Sequence, residues 1–258
     1  MARMNTPIAE LVRRHDPDRF LTALFAPPDK RDALMVLYAF NHELARAREV
    51  TREPHMALIR LQWWREVVEG TRRRHEVATP LSDAIAMGQL LTPDLLAIIE
   101  ARELEAEPAI ETLAVWRAWL MAGAGGLAVA AARLLGAPEP EAIRPLGAAY
   151  GAAGVIRSTH VLATQGRCLL PEDVLAEHGL VPEAITAGAD PRTVLRDLAA
   201  VGRSMLVTPP RLPKHAIAAA LPAVLARRDL ARPALAGEGP RGFGDRLAVV
   251  LAGFTGRL

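Results

Sequence analysis

Two stretches of the sequence, residues 37–49 and 156–171, carry side chains that could bind an anion or a metal ion. Their arginines could bind an anionic ligand, because guanidinium groups pair well with phosphate oxygens. The alternative is a solvated helix face on which the same charges serve no ligand. The arginines concerned are Arg46, Arg48, Arg157 and Arg167.

Histidine chemistry has weaker support in the sequence. His42-Glu43 begins like a zinc-protease signature, but Arg46 occupies the position of the second histidine, so this interpretation fails. His160 could face a cleft, although a lone histidine on a helix is commonly a hydrogen-bonded packing residue. The other histidines are scattered without ligand spacing.

The composition predicts the elements that must position these side chains. Hydrophobic residues make up 51% of the 258 residues but aromatic residues only 4%, and Ala and Leu recur while runs of Val, Ile and Thr are scarce. This composition is typical of helices packed through small side chains. We find no repeat and no domain boundary, so the sequence predicts one all-α domain over residues 1–258.

The two stretches fall on two predicted helices, residues 29–50 and 139–164. The first helix is apolar nearly all round from Ala33 to Phe40, which indicates a central position. The second is predicted to end at Gly166. Its glycines at 147, 151 and 154 would let another helix lie against it. A further long helix is predicted over residues 111–135, and residues 232–241 are the predicted mobile loop.

Three segments resemble the squalene/phytoene synthase family, in unbroken register and in the family's order. Residues 37–49, LYAFNHELARARE, resemble its first motif, Leu-Tyr-Ala-Phe-Cys-Arg-x-Val-Asp-Asp-x-x-Asp. Residues 61–66, LQWWRE, are similar to the segment that follows. Residues 156–171, IRSTHVLATQGRCLLP, resemble the second motif and keep its Arg, Gly, Arg and Leu-Pro. The resemblance implies an isoprenoid (terpenoid) synthase bundle, with the helices of residues 30–50 and 140–164 facing each other across a central cleft.

The same resemblance implies that active members hold magnesium between acidic side chains spaced i,i+4 on the two helices. Magnesium requires such hard oxygen ligands. One cation and one anion replace about six negative charges at these positions in this chain. We therefore expect no catalytic residue, no metal site and no cofactor. Mg²⁺ is expected only if the chain is an active synthase. The six positions are Ala45, Arg46, Glu49, Ser158, Val161 and Leu162.

Three functional hypotheses follow from the resemblance. The first is a catalytically silent protein that binds a complex I subunit or assembly intermediate, because the strings at residues 40–45 and 60–64 look more like the branch that includes the mitochondrial complex I assembly factor. The second is an active head-to-head prenyltransferase, and the third is an isoprenoid-binding protein. If a ligand binds, the candidate contact residues are Tyr38, His42, Glu49, Arg157 and Arg167.

Charge and hydropathy indicate the compartment and exclude one class of partner. The first ten residues lack the features of a secretory or mitochondrial leader, so we expect a bacterial, cytoplasmic protein, with possible peripheral contact at the inner membrane face. The uncharged run of residues 118–132 is shorter than the ~20 residues of a membrane span. Arg72-Arg73-Arg74 lacks interleaved aromatic residues, so nucleic acid is not an expected partner.

Overall fold

A computed structural model describes residues 6–49, 53–107, 109–208, 211–232 and 241–258, except for the side chains of Thr6, Glu49 and Pro54. Most of the predicted mobile loop, residues 233–240, lies outside the described residues. Within them the chain is all-α, as predicted, and its only bridge-type pairing is an isolated one between Ile110 and Pro171.

Fourteen α-helices and three short 3₁₀ segments make up the described regular structure. The helices are α1 (Thr6–His15), α2 (Pro17–Ala23), α3 (Pro28–Glu49), α4 (Pro54–Val68), α5 (Ala78–Ala86), α6 (Thr92–Glu103), α7 (Leu113–Ala122), α8 (Ala124–Leu134), α9 (Arg144–Thr164), α10 (Glu172–Glu177), α11 (Pro182–Thr186), α12 (Arg192–Ser204), α13 (Pro222–Leu230) and α14 (Phe243–Thr255). The 3₁₀ segments are Leu104–Ala106, Pro140–Ile143 and Lys214–Ala219.

Helix α3 lies at the centre of the larger part of the core. Every residue from Ala33 to Phe40 is buried, which confirms the position predicted from its apolar sequence. Phe40 packs edge-on against Trp64 of α4, with ring centroids 5.5 Å apart. A helix buried on all sides presents its polar residues only near its ends. The first motif therefore has its last turn, around Ala45, free to face a site.

Helix α9 packs closely against α8 through small residues. A Cβ atom added to Gly147 would lie 2.6 Å from the Ala124 carbonyl oxygen, and one added to Gly151 would lie 2.6 Å from the Ala124 Cβ atom. Both glycines therefore permit the close approach that their spacing predicted. Gly154 does not take part, because a Cβ atom there would meet nothing within 4 Å. The helix ends as predicted, with Gly166 in the left-handed region at φ 72°.

The prediction of a single helix over residues 111–135 is wrong, because the helix is interrupted at Gly123. That residue has φ −76° and ψ −83°, and it separates α7 from α8. By length and mean hydropathy alone, the stretch Leu113–Leu134 is apolar enough to cross a membrane. The break divides it into helices of 10 and 11 residues, each about half of the ~20 residues that a span requires. Helix α8 is largely buried inside the protein.

Candidate functional site

A cavity of about 290 Å³ lies between the helices that carry the two motifs. Ala45 lines it from α3, and Ser158, Val161 and Leu162 line it from α9. Four of the six positions at which the family resemblance implies acidic ligands therefore face one space. The expectation of a common cleft between residues 30–50 and 140–164 agrees with this arrangement.

The wall of the cavity is mainly apolar around these four positions. Its large apolar contributions come from α7, α9 and the segment after α9, and none of these side chains can ligate a metal ion. The residues are Trp119, Leu120, Val155 and Leu169. The charged side chains in the wall are Arg19, Arg102, Arg167 and Glu105. Three cations thus face the cavity against one described carboxylate. A magnesium site would need several carboxylates and few cations.

Glu105 is held by two of these arginines. The Arg102 Nη1 atom donates a hydrogen bond to Glu105 Oε1 at 2.6 Å, and Arg167 Nη2 lies 3.7 Å from Glu105 Oε2. Arg102 also donates to the Asn41 side-chain oxygen of α3 at 2.9 Å. The Glu105 side chain is only 8% exposed. Its carboxylate is therefore part of a buried ion-pair network that closes one side of the cavity.

Arg19 of α2 forms another part of the wall and is fixed by its neighbours. Its guanidinium lies over the Tyr150 ring at 4.8 Å and near the Tyr38 ring at 5.7 Å, within the range of cation–π attraction. It also donates to the Asp16 carboxylate at 2.8 Å. Burial opposes the charge of Arg19, but the nearby Asp16 carboxylate raises its pKa above the usual value. Burial raises the pKa of both tyrosines, so both phenols stay protonated.

The polar side chains that the structure describes in the first motif do not line the cavity. Tyr38 is buried behind Arg19, and His42 stacks on His15 with ring centroids 4.4 Å apart. Arg46 is exposed and pairs with Glu43 of the preceding turn at 3.1 Å. This exposed pairing is the solvated helix face that was the alternative to an anion-binding role. Glu49 ends α3, and its side chain lies outside the described residues.

Arg157 of the second motif belongs to a different network. Its Nη1 atom lies 3.6 Å from Asp229 Oδ1 of α13, and Arg241 donates to the same oxygen at 2.5 Å. Arg241 also donates to Asp18 Oδ2 at 2.9 Å, and the Tyr150 hydroxyl donates to that oxygen at 3.1 Å. This network joins α2, α9 and α13 behind the cavity. Of the candidate ligand contacts, Arg167 lines the cavity and Arg157 does not.

Ser158 and His160, two other polar residues of the second motif, are poorly placed to act as ligands. The Ser158 hydroxyl donates to the Gly154 carbonyl oxygen at 2.9 Å, within its own helix. His160 is exposed and does not line the 290 Å³ cavity. The hydroxyl proton of Ser158 is therefore engaged by the backbone, and His160 has no part in the cavity wall.

The donor set of this cavity does not fit the magnesium cluster that the fold family implies. Its described carboxylate, Glu105, is bound by arginines. The four motif positions in the wall offer three alkyl groups and the Ser158 hydroxyl, and Gln165 adds one amide oxygen. No group of three or more His, Cys, Asp or Glu residues that could hold a metal ion occurs among the described residues. Hard divalent ions need several oxygen ligands at once. No reaction step through magnesium can be derived from these side chains.

Several residues that form this site are not predicted by the motifs. Arg19, Arg102, Glu105, Trp119 and Tyr150 all line the cavity but lie outside the segments that resemble the family motifs. One signal was present, because Arg102 and Glu105 are three residues apart, a spacing that lets opposite charges pair on a helix. The contacts of Arg19 depend on packing between distant helices, which local sequence does not reveal.

The chain is similar to curated proteins named NADH dehydrogenase (ubiquinone) complex I, assembly factor 6. It is 28% identical to the protein of Rattus norvegicus over 182 residues and 26% identical to that of Homo sapiens over 182 residues. Each alignment covers 67% of this chain and 55% of the relative. The chain thus spans about half the length of the curated relatives that it matches.

Two solved structures share its fold. A crystal structure of a dehydrosqualene synthase in complex with ligand has a TM-score of 0.76 at 15% identity, covering 96% of this chain and 94% of that chain. Squalene synthase HpnC from Alicyclobacillus acidocaldarius has a TM-score of 0.62 at 17% identity, covering 96% and 92%. The fold is therefore the helical fold of these synthases. A model of the squalene/phytoene synthase family matches residues 12–239, and the chain belongs to that family.

Proposed function

We propose that this protein is a catalytically silent family member that acts as an assembly or binding factor for respiratory complex I. The observation that carries the proposal is the state of Glu105, the described carboxylate in the cavity wall, which is held by Arg102 and Arg167. A complex I subunit or assembly intermediate is the proposed partner. The proposed location is the cytoplasm, at the inner face of the membrane.

The physical argument concerns the charge that develops when a prenyl diphosphate ionises. Metal stabilisation of a departing diphosphate contributes several kcal/mol, and each ~1.4 kcal/mol changes the rate tenfold. A cavity that cannot bind magnesium lacks this stabilisation of the departing diphosphate. The guanidiniums of Arg19 and Arg102 hydrogen-bond to protein carboxylates, so they are not free to replace the metal as a phosphate clamp.

The relatives supply the identity of the proposed partner. The similar proteins of Rattus norvegicus and Homo sapiens are both named for assembly of complex I, whereas the synthases in the structural comparison share only 15–17% identity. Identity to these two assembly factors, over 182 residues, is therefore higher than identity to these two synthases over 96% of the chain. A role by contact needs a conserved shape and surface but no transition-state stabilisation.

The direct test of silence measures pyrophosphate released from farnesyl or geranylgeranyl diphosphate in the presence of magnesium. A dehydrosqualene synthase, assayed in parallel, shows that the substrates and the detection work. We expect no release above the protein-free background. Magnesium-dependent release that Glu49→Gln abolishes would contradict the proposal, because it would show that the last acidic motif position supports turnover.

The apolar wall of the cavity favours a second candidate function, the binding of an isoprenoid without turnover. Apolar cavities of about this size commonly hold small ligands. Trp119 lies in the wall, so its fluorescence should change when farnesol binds. A saturable change that is lost in Trp119→Phe would support this candidate. Equal changes in Trp119→Phe and the unaltered protein would exclude binding beside Trp119.

A further inference from the structure

The last helix, α14, exposes an apolar face. Phe243 is 81% exposed, Phe254 74%, Leu251 55% and Leu247 42%. Their spacing of four, four and three residues places them on one side of the helix. Large aromatic side chains that stay this exposed are unusual on a soluble surface, and a contiguous set of them marks a contact with another apolar phase.

The opposite face of α14 is firmly attached to the protein. Val249 and Ala252 are buried in a small core with Ile217, Leu221 and Leu225. At the start of the helix, Asp245 accepts a hydrogen bond from the Arg228 side chain of α13 at 2.5 Å. The exposed residues are therefore the outer face of a docked helix.

A basic pocket adjoins the C-terminal end of the same helix. This cavity of about 280 Å³ is lined by Arg211, Arg227 and Arg257, with Leu146, Leu212 and Ile217 among its apolar residues. Each of the three arginines is exposed, and none of them pairs with an acid of the described residues. The side chains that line the pocket therefore carry three positive charges and no negative charge.

We propose that the apolar face of α14 and the adjoining arginine pocket form a docking surface for a bilayer containing anionic phospholipids. An amphipathic helix of this kind lies in the plane of the membrane with its apolar side among the acyl chains. The pocket would receive a lipid phosphate, since guanidinium forms paired hydrogen bonds with phosphate oxygens. The proposal goes beyond the proposed function, because it holds whether or not the protein assembles complex I.

Charge distinguishes the bilayer from a second copy of this chain. A symmetric dimer through α14 would repeat the same arginines in the interface, and like charges brought together repel. An anionic bilayer instead complements them. Each basic residue near such a surface contributes about 1 kcal/mol, or roughly a fivefold change in partitioning.

Sedimentation of the protein with vesicles tests this surface. One set of vesicles contains phosphatidylcholine alone, and the other contains phosphatidylcholine and phosphatidylglycerol in equal parts. We expect binding to the anionic vesicles that weakens as salt rises. Inorganic phosphate should release no more protein from the anionic vesicles than chloride does at the same ionic strength, because the acyl chains supply much of the attraction.

Two sets of variants separate the apolar and basic contributions. Phe243→Ser with Leu251→Ser should lower vesicle partitioning roughly tenfold or more, whereas the control Ile59→Ser with Met87→Ser, at 58% and 71% exposure, should not. Replacing Arg211, Arg227 and Arg257 by Gln should lower it about fivefold for each residue. Matched control replacements are Arg74→Gln, Arg117→Gln and Arg196→Gln, which remove the same net charge from exposed positions elsewhere.

Three results would overturn the proposal. The first is equal binding to both kinds of vesicle, and the second is an equal loss of binding in the test and control variants. The third is a lipid-independent dimer, detected by light scattering, that Phe243→Ser with Leu251→Ser dissociates. Circular dichroism of every variant checks that the helical fold is intact, which we expect because all of the altered side chains are exposed.

Discussion

Arg102 donates one hydrogen bond to Glu105 at 2.6 Å and another to the Asn41 side chain at 2.9 Å, so a single guanidinium ties the cavity wall to α3. Asn41 belongs to the first motif and is 7% exposed. The pairing neutralises Glu105 and fixes the position of α3 relative to α6. A carboxylate engaged in this way stabilises the fold of the site and is not available to a metal ion.

Glu105→Gln should destabilise the protein. Removing one partner of a buried ion pair leaves Arg102 and Arg167 near an amide that carries no charge, which costs about 3 kcal/mol in the free energy of unfolding. Urea denaturation measures the change. Glu107→Gln is the control, because Glu107 is exposed and should change stability by less than ~0.5 kcal/mol. Equal stabilities for the two variants would contradict the role given to Glu105.

Gly147→Ala should also destabilise the protein, because the added Cβ atom would lie 2.5 Å from the Ala128 Cβ atom and 2.6 Å from a backbone oxygen. Forcing α8 and α9 apart costs about 1–3 kcal/mol. Gly154→Ala on the same helix meets nothing within 4 Å and should instead add about 0.5–1 kcal/mol of helix stability. Thermal denaturation of both variants checks the opposite signs, and a stabilised Gly147→Ala variant would show that α8 and α9 can separate freely.

Arg228→Gln should change how stability depends on pH. Burial acts to raise the pKa of Asp245, but the Arg228 hydrogen bond and the charges of Arg228, Arg241 and Arg232 outweigh it and lower the pKa. A lowered folded-state pKa gives stability that is fully present above the unfolded value of about 3.9 and is lost as pH falls through the folded value. The free energy of unfolding of the unaltered protein should therefore be about 0.5–1 kcal/mol higher than that of Arg228→Gln near neutral pH.

Urea denaturation over a pH series measures this difference. The gap in the free energy of unfolding should narrow as pH falls from about 3.9 through the folded-state pKa of Asp245, because this carboxyl group is protonated first in the unfolded chain and then in the folded protein. Arg246→Gln is the control on the same helix, since Arg246 is exposed and pairs with no described acid. A gap that is constant across the whole pH range would show that the Asp245 contact contributes nothing.

Local sequence predicted the fold better than it predicted the cavity. The apolar run from Ala33 to Phe40 and the stop at Gly166 are local signals, and the structure confirms both. Local sequence does not predict the break at Gly123, because no proline marks it and the apolar pattern continues across this residue. Its backbone angles depend on how α7 and α8 each pack against α9.

Local sequence also predicts only some of the residues in the cavity wall. Register in the two motifs is the signal for Ala45, Ser158, Val161 and Leu162, which line one cavity. The partner of Asn41 could not be predicted, because Arg102 is 61 residues away in the chain. Contacts between distant helices depend on tertiary packing, which decides which charged side chains enter the wall.

Deletion of the gene in the organism that encodes it tests most directly whether the protein acts by contact or by turnover. The measurement is the amount of assembled complex I, with C30 and C40 isoprenoids quantified in the same cells. We predict less assembled complex I, unchanged isoprenoids, and full rescue by both the unaltered protein and Glu49→Gln. Normal complex I together with the loss of a C30 or C40 isoprenoid, and no rescue by Glu49→Gln, would contradict the account.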